Sequence, residues 1–298
     1  MTTPASSASA AAIGAPAPDA PRRRSRRATE LTFIVGLVLV GIVVVLALVS
    51  FVWTPHPPTR PDAAARLEGM SAAHLFGTDR YGRDTLTWIM LGARVTLLVG
   101  IVAVGIAMLI GVPLGVLAGM TRARWLSGLI MRGNDLVFAF PSLVIAILIT
   151  ATRGPSALNA IIAIGIFNIP VFARVTRGAA MPLWTLDYIR AARVAGKGAA
   201  RISVEHILPN CANLLIVQAT IQFSLGILAE AGLAYVGLGA QPPTPSWGRM
   251  LADAQTMVAQ APHVAIVPGL AIVLTVMGLN LLGDGLRDAL DPRTGGRA

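Results

Sequence analysis

Leu31-Thr-Phe-Ile-Val-Gly-Leu-Val-Leu-Val-Gly-Ile-Val-Val-Val-Leu-Ala-Leu-Val-Ser-Phe-Val-Trp53 is a run of 23 residues without a charge. At 1.5 Å per residue a helix of this length reaches about 35 Å, enough to cross a bilayer core with some tilt. Five arginines precede it: Arg22, Arg23, Arg24, Arg26 and Arg27. A basic stretch before an apolar run also opens a secretory signal, but this run is too long for a signal core. No small-residue cleavage site follows, so it reads as an uncleaved span. Five further runs, at 95–120, 133–152, 157–177, 211–237 and 263–285, each hold at least 18 mostly apolar residues. Pro113, Pro141 and Pro170 lie inside them, which embedded helices tolerate when neighbours re-satisfy the backbone. The expectation is an all-α polytopic membrane protein with six transmembrane helices.

Composition agrees. Of 298 residues, 55% are hydrophobic and 13% charged, against about 25% charged in a soluble domain. Mean hydropathy is +0.70. This excludes a disordered chain, a disulfide scaffold and an ordinary soluble enzyme. The formal net charge of +10 would suggest nucleic acid in a soluble protein. Here the basic residues sit between apolar runs, so membrane lipid is the expected partner and nucleic acid is not. The single cysteine, Cys211, excludes an internal disulfide and a multi-cysteine metal site. His56, His74, His206 and His263 are scattered along the chain, and no metal or cofactor is expected.

Arginine placement orients the spans. With the N-terminus inside, 17 of the 24 basic residues fall on inside segments and 7 outside, as the positive-inside bias requires. The expected organisation is a disordered basic cytoplasmic N-terminus (1–30), a first span (31–53) and an outer segment with an interfacial helix (54–94). A five-helix core (95–285) and a cytoplasmic tail (286–298) follow, giving N-in and C-in. Long loops carry function more often than short ones, and three segments are long. Two are outside, at about 54–94 and 238–262; one is inside, at about 178–210, and holds the loop 184–209.

The inside loop runs from Trp184 to Pro209. Thr185 suits a helix N-cap, and Asp187 suits the first turn. Gly196 or Gly198 suits a left-handed helix end. Leu186, Ile189, Ala192 and Ala195 form an apolar stripe, and Pro209 opens the next segment. The product is helix, glycine turn, helix: either a projecting elbow or two helices lying on headgroups. Ala191-Ala192, three residues, Gly196, nine residues, then His206-Ile207-Leu208-Pro209 resembles the cytoplasmic signature loop of type I ABC importer permeases. The family pattern is Glu-Ala-Ala, three residues, Gly, nine residues, Ile, one residue, Leu-Pro. Arg190 stands at the Glu position and His206 at the Ile position. The resemblance implies a type I ABC importer permease fold. It also implies that Ala191, Ala192, Gly196, His206, Leu208 and Pro209 belong to a coupling helix pair seated on an ATPase subunit.

Two outer stretches narrow the resemblance. His74-Leu-Phe-Gly-Thr-Asp-Arg-Tyr-Gly-Arg-Asp84, followed by Gly92-Ala-Arg94, is similar to the N-terminal signature of one branch. Gly237-Leu-Gly-Ala-Gln-Pro-Pro-Thr-Pro-Ser-Trp-Gly-Arg-Met250 is similar to the same branch's loop before the last span. That branch is the C-type permease subunit of dipeptide, oligopeptide and nickel importers in the bacterial inner membrane. It implies a heterodimer with a homologous second permease, two cytoplasmic ATPase subunits or domains, and an extracytoplasmic solute-binding protein. From the residues alone, the glycines of 77–84 permit tight turns, Asp79 and Asp84 accept from backbone N–H groups or pair with Arg80 and Arg83, and Asp84 caps the helix at Thr85. Trp88 suits the membrane interface, and in the Gln241 to Trp247 loop the prolines stiffen the chain and Trp247 anchors it. Two readings stay open for Asp79, Arg83, Asp84 and Trp247: a docking surface or outer mouth, or a structural turn and plug.

Glu230 is the one acid inside an apolar run. It reads either as a gate or subunit contact, or as an interfacial acid near the outer boundary with a local partner. Arg132 and Asp135, three apart, are expected to pair on one helix face. A Walker A loop needs Gly, four residues, Gly-Lys-Ser/Thr. The only lysine, Lys197, is followed by Gly198, so ATP hydrolysis is expected in another polypeptide and no catalytic residue in this one. The competing function is a stand-alone secondary transporter or channel, for which no paired mid-membrane ionisable groups are evident.

Overall fold

Hydrocarbon offers no partner for a backbone N–H or C=O, and the chain answers with helices. The computed structural model describes residues 26–58, 61–121 and 123–290. The expected disorder of the first residues, the arginines at 22–24, 60, 122, 293 and 297, and the tail beyond 290 lie outside them. Ten α-helices occur among the described residues: α1 (Arg26–Val49), α2 (Thr85–Met120), α3 (Arg124–Phe138), α4 (Ser142–Arg153), α5 (Ala157–Leu183), α6 (Asp187–Val194), α7 (Ala199–Ile202), α8 (Leu208–Tyr235), α9 (Trp247–Ala254) and α10 (His263–Leu290). One π-turn, Ser203–Ile207, joins α7 to α8 without a break. One isolated antiparallel bridge, Thr78 to Asp84, accompanies them.

Five helices are long and apolar enough to cross a membrane: α1, α2, α5, the continuous 199–235 helix, and α10. The sixth expected span differs. Residues 133–152 are not one helix but parts of α3 and α4, which meet at 79°. The break falls at Ala139-Phe140-Pro141. Proline has no N–H to continue the ladder, and its ring pushes Phe140 out of helical geometry. The pair is thus a broken span or a re-entrant hairpin. Two other boundaries move. α1 begins at Arg26, ahead of the expected Leu31. α2 begins at Thr85, not near 95, so the expected interfacial helix is the first turns of the span itself.

Close packing rests on small residues. α5 lies along α2, where a Cβ on Gly111 would sit 2.5 Å from the Ile169 carbonyl oxygen and one on Gly115 would sit 2.5 Å from that of Ala173. α1 lies along α10 in the same way, with Gly36 facing the Gly278 carbonyl and the Leu282 amide. In lipid this close approach supplies the contacts that the hydrophobic effect supplies in water. Large apolar side chains such as Leu48, Ile101, Leu109 and Leu270 point outward and are exposed, as they must where the surroundings are acyl chains. Inside, the polar side chains of Asn168 and Gln222 pair at 3.0 Å between α5 and α8.

Gly111→Val would force α2 and α5 apart, at a cost of about 1–3 kcal/mol. The thermal midpoint of the purified protein in detergent should fall. Gly105→Val, where nothing lies within 4 Å, should leave the midpoint in place.

Candidate functional site

The elbow at 184–209 is built on an apolar seam. Trp184, Ile189, Ile202, Ile207 and Cys211 are buried together against Phe172 and Ala180 of α5 and Val104 and Ala107 of α2. Its first arm, α6, ends at Ala195, and Gly196 takes φ +83°. That left-handed position lets the Lys197 amide reach back to the Ala192 carbonyl at 3.1 Å and the Gly196 amide to that of Arg193 at 3.0 Å. This closes the helix end as a Schellman turn. Gly198 has an ordinary negative φ and opens α7.

Other local expectations shift. Thr185 does not cap α6; its hydroxyl donates to the Pro182 carbonyl at 2.7 Å, and Leu186 holds the cap position. Asp187 does sit in the first turn, with Arg190 3.2 Å away. Of the expected stripe, Ile189 is buried and Ala192 half-buried, while Leu186 and Ala195 are exposed. Pro209 stands in the first turn of α8, directly after the π-turn.

The polar side of the elbow is tied by charge. Glu205 accepts from Lys197 Nζ at 2.5 Å and from Arg201 Nε at 2.5 Å. His206 stands edge-on to Tyr188, ring centroids 6.0 Å apart. Ala191, Gly196 and Pro209 are exposed, while Ala192, His206 and Leu208 are half-buried. The tip carries Val194, 90% exposed, an apolar side chain that sequence reading passed over.

At the other end of α2 lies a polar cap. Asp84 Oδ2 accepts from the Thr87 amide at 2.8 Å and from its hydroxyl at 2.9 Å, capping α2. Asp79 accepts from the amides of Tyr81 (2.7 Å) and Arg83 (3.0 Å) and pairs with the Arg83 guanidinium. Arg83 also stacks on Trp88, 3.6 Å from the ring centroid. Arg80 does not join this turn; it pairs with Asp253 of α9 at 2.9 Å. Trp88 and Trp247 are both buried. Trp247 Nε1 donates to the Ile89 carbonyl at 3.0 Å, and its ring fills the space over Gly92. A cleft of about 350 Å³ opens between Tyr81, Arg83, Trp88, Pro243, Arg249 and Asp253.

Glu230 is 1% exposed and sits among helices with local hydroxyl partners. Thr96 Oγ1 of α2 donates to it at 3.4 Å, and Ser246, the cap of α9, also faces it. Asp135 pairs with Arg174 of α5 at 2.5 Å, not with Arg132. Arg174 lies over Phe138 as well. Two histidines called scattered above in fact meet: His56 and His74 converge on Asp84.

Known proteins resemble this chain. The family model described as "Binding-protein-dependent transport system inner membrane component" matches residues 111–296. The chain belongs to that family. It is 45% identical over 260 residues to the dipeptide transport system permease protein DppC of Alkalihalophilus pseudofirmus, covering 87% of this chain and 85% of that protein. It is 48% identical over 227 residues to the di/tripeptide transport system permease protein DppC of Pseudomonas aeruginosa, covering 76% and 75%. It is 46% identical over 226 residues to the glutathione transport system permease protein GsiD of Pectobacterium atrosepticum, covering 76% and 75%. A chain of the inward-facing MetNI methionine ABC transporter shares the fold at a TM-score of 0.57 and 21% identity, covering 67% of this chain and 94% of that one.

The protein is therefore a multi-pass ABC importer permease of the C-type dipeptide branch, a transport subunit and not itself an enzyme. A stand-alone transporter or channel is set aside. In this permease Trp247 is the peg that holds α9 on α2. Trp247→Phe keeps most of the ring but loses the bond to Ile89, at about 0.5–1.5 kcal/mol. Trp247→Ala also empties the site, at about 3–5 kcal/mol. Thermal unfolding in detergent should rank wild type above Phe and Phe above Ala.

Proposed function

We propose that this chain is one of two homologous permease subunits of a bacterial inner-membrane importer for di- or oligopeptides or a related small solute. Its ends lie inside. Two cytoplasmic ATPase subunits or domains seat on the 184–209 elbow, and an extracytoplasmic solute-binding protein seats on the cap formed by 74–84 and 237–250. The passage alternates between outward and inward openings as the ATPases close and pull the elbow. The dipeptide, di/tripeptide and glutathione names of its relatives support the peptide class.

The observation that carries this reading is the placement of the two loops at opposite ends of α2. Asp84 caps its N-terminus, and the Ser203 hydroxyl of the elbow lies 3.8 Å from the sulfur of Met120 at its C-terminus. A 36-residue helix is about 54 Å long, more than a bilayer core. A loop that meets one side of the membrane and a loop that meets the other are what a chain needs to be worked from inside and fed from outside.

Deletion of residues 190–198 should abolish co-purification of the ATPase subunits. Val194→Asp is the finer test, because this side chain touches almost nothing in the fold. The variant should keep the wild-type thermal midpoint yet recover at least tenfold less ATPase. Full ATPase recovery with either variant would remove the elbow from the interface.

A further inference from the structure

His56 follows α1, His74 lies in the outer segment, and Asp84 caps α2. The chain brings them together so that one ligand atom from each lies within 4.8 Å of the others. His74 Nδ1 is 3.0 Å from Asp84 Oδ1, and His56 Nδ1 is 3.6 Å from the same oxygen. The two imidazole centroids are 4.5 Å apart. The Asp84 side chain is 1% exposed, His74 15% and His56 38%, so the cluster is anchored inside and open on one side.

We propose that these three side chains form a binding site for a borderline divalent transition metal of the zinc class, outside the membrane and separate from the transport path. Two imidazoles and one carboxylate suit such an ion, not Mg²⁺ or Ca²⁺, which take oxygen shells. Ligand atoms about 2.0–2.2 Å from a tetrahedral metal stand about 3.3–3.5 Å apart. The two separations, 3.0 and 3.6 Å, straddle that value, the shorter being a hydrogen bond that the ion would replace.

A second observation points the same way. His56 Nδ1 is buried and has no hydrogen-bond partner. At 3.6 Å from Asp84 it is too far for a hydrogen bond and well placed for a shared ion. Its backbone is already fixed: Thr87 Oγ1 accepts from the His56 amide at 3.2 Å, and the Thr54 hydroxyl donates to the His56 carbonyl at 3.0 Å. His74 is fixed in turn, its amide donating to Ser71 Oγ at 3.0 Å. A helix N-terminus opposes a cation. Here Asp84 Oδ2 is committed to that end while Oδ1 faces the histidines, so one carboxylate serves both. A bound ion would clip the strap after α1 to the start of α2.

The test is zinc titration of the full chain in lipid nanodiscs, purified through a tag without histidine and stripped with chelator. Calorimetry should find one Zn²⁺ per chain at a dissociation constant in the micromolar range or below, with Co²⁺ giving a visible ligand-field spectrum and Mg²⁺ not competing. His56→Gln, His74→Gln and Asp84→Asn should each weaken zinc at least tenfold. Asparagine keeps the helix cap, and His56 is exposed enough that its replacement leaves the fold intact. His206→Gln/His263→Gln should bind zinc like wild type. The proposal falls if the His56→Gln/His74→Gln double variant binds Zn²⁺ as tightly as wild type, or if the His206/His263 variant is the one that loses it.

Discussion

Asp84 accepting the Thr87 amide closes the N-terminus of a helix that runs unbroken to Met120. The permease is organised around that helix. Its first turns carry the cap residues, its middle packs on α5 through Gly111 and Gly115, and its last turns meet the elbow. Its backbone bonds are made within the same segment, which is the condition for crossing hydrocarbon at all, except that Pro113 has no N–H to offer the preceding turn. A displacement of one end reaches the other as a tilt or shift of the helix, a bend at Pro113, or an opening of its packing against α5.

The elbow is coupled to the membrane body by two different means. The seam of Ile189, Ile202 and Ile207 holds it against α2 and α5, and covalent continuity through the π-turn at 203–207 makes its second arm the start of α8. A π-turn widens the helix by one residue and often marks a functional position. Here it lets Ile202 and Ile207 both face the seam while Glu205 stays outside with Lys197 and Arg201. The ion pairs are exposed and worth little in stability; the buried isoleucines carry the attachment.

The sequence made the membrane class, five of the spans, the Gly196 turn and the Asp84 cap readable, because each depends on residues close together along the chain. Apolar length, a glycine at a helix end and an acid before Thr85 need no tertiary partner. The break within the sixth span was not legible because Pro141 is ambiguous: an embedded helix tolerates proline when its neighbours compensate, and nothing local says whether they do. Trp247 was expected to anchor its loop, but its partner, the Ile89 carbonyl, lies 158 positions away and leaves no local signal. Asp135 chose Arg174 across a helix pair over Arg132 one turn away. The meeting of His56 with His74 and Asp84 spans 28 residues of loop and helix start, from 56 to 84, and no periodicity signals such a convergence.

Glu230 shows why a buried acid can specify a fold without stabilising it. Its two hydroxyl neighbours, Thr96 and Ser246, come from α2 and from the cap of α9. An apolar residue of similar volume would often serve stability as well or better. What the carboxyl adds is a penalty on other arrangements. α8 has exposed leucines at 225 and 228 and a buried face at Ile227 and Ala231, so rotating the helix by about 100°, one residue's worth, would carry Glu230 toward its exposed side. An ionisable group among acyl chains is costly, less so near the end of a span than at its centre, and Glu230 stands five residues before Tyr235, the end of α8. The faces of α8 differ little in hydrophobicity, which leaves apolar packing alone a weak guide to its rotation. One carboxyl with two hydroxyl partners removes that freedom, and so sets which face of α8 meets α2 and which meets lipid.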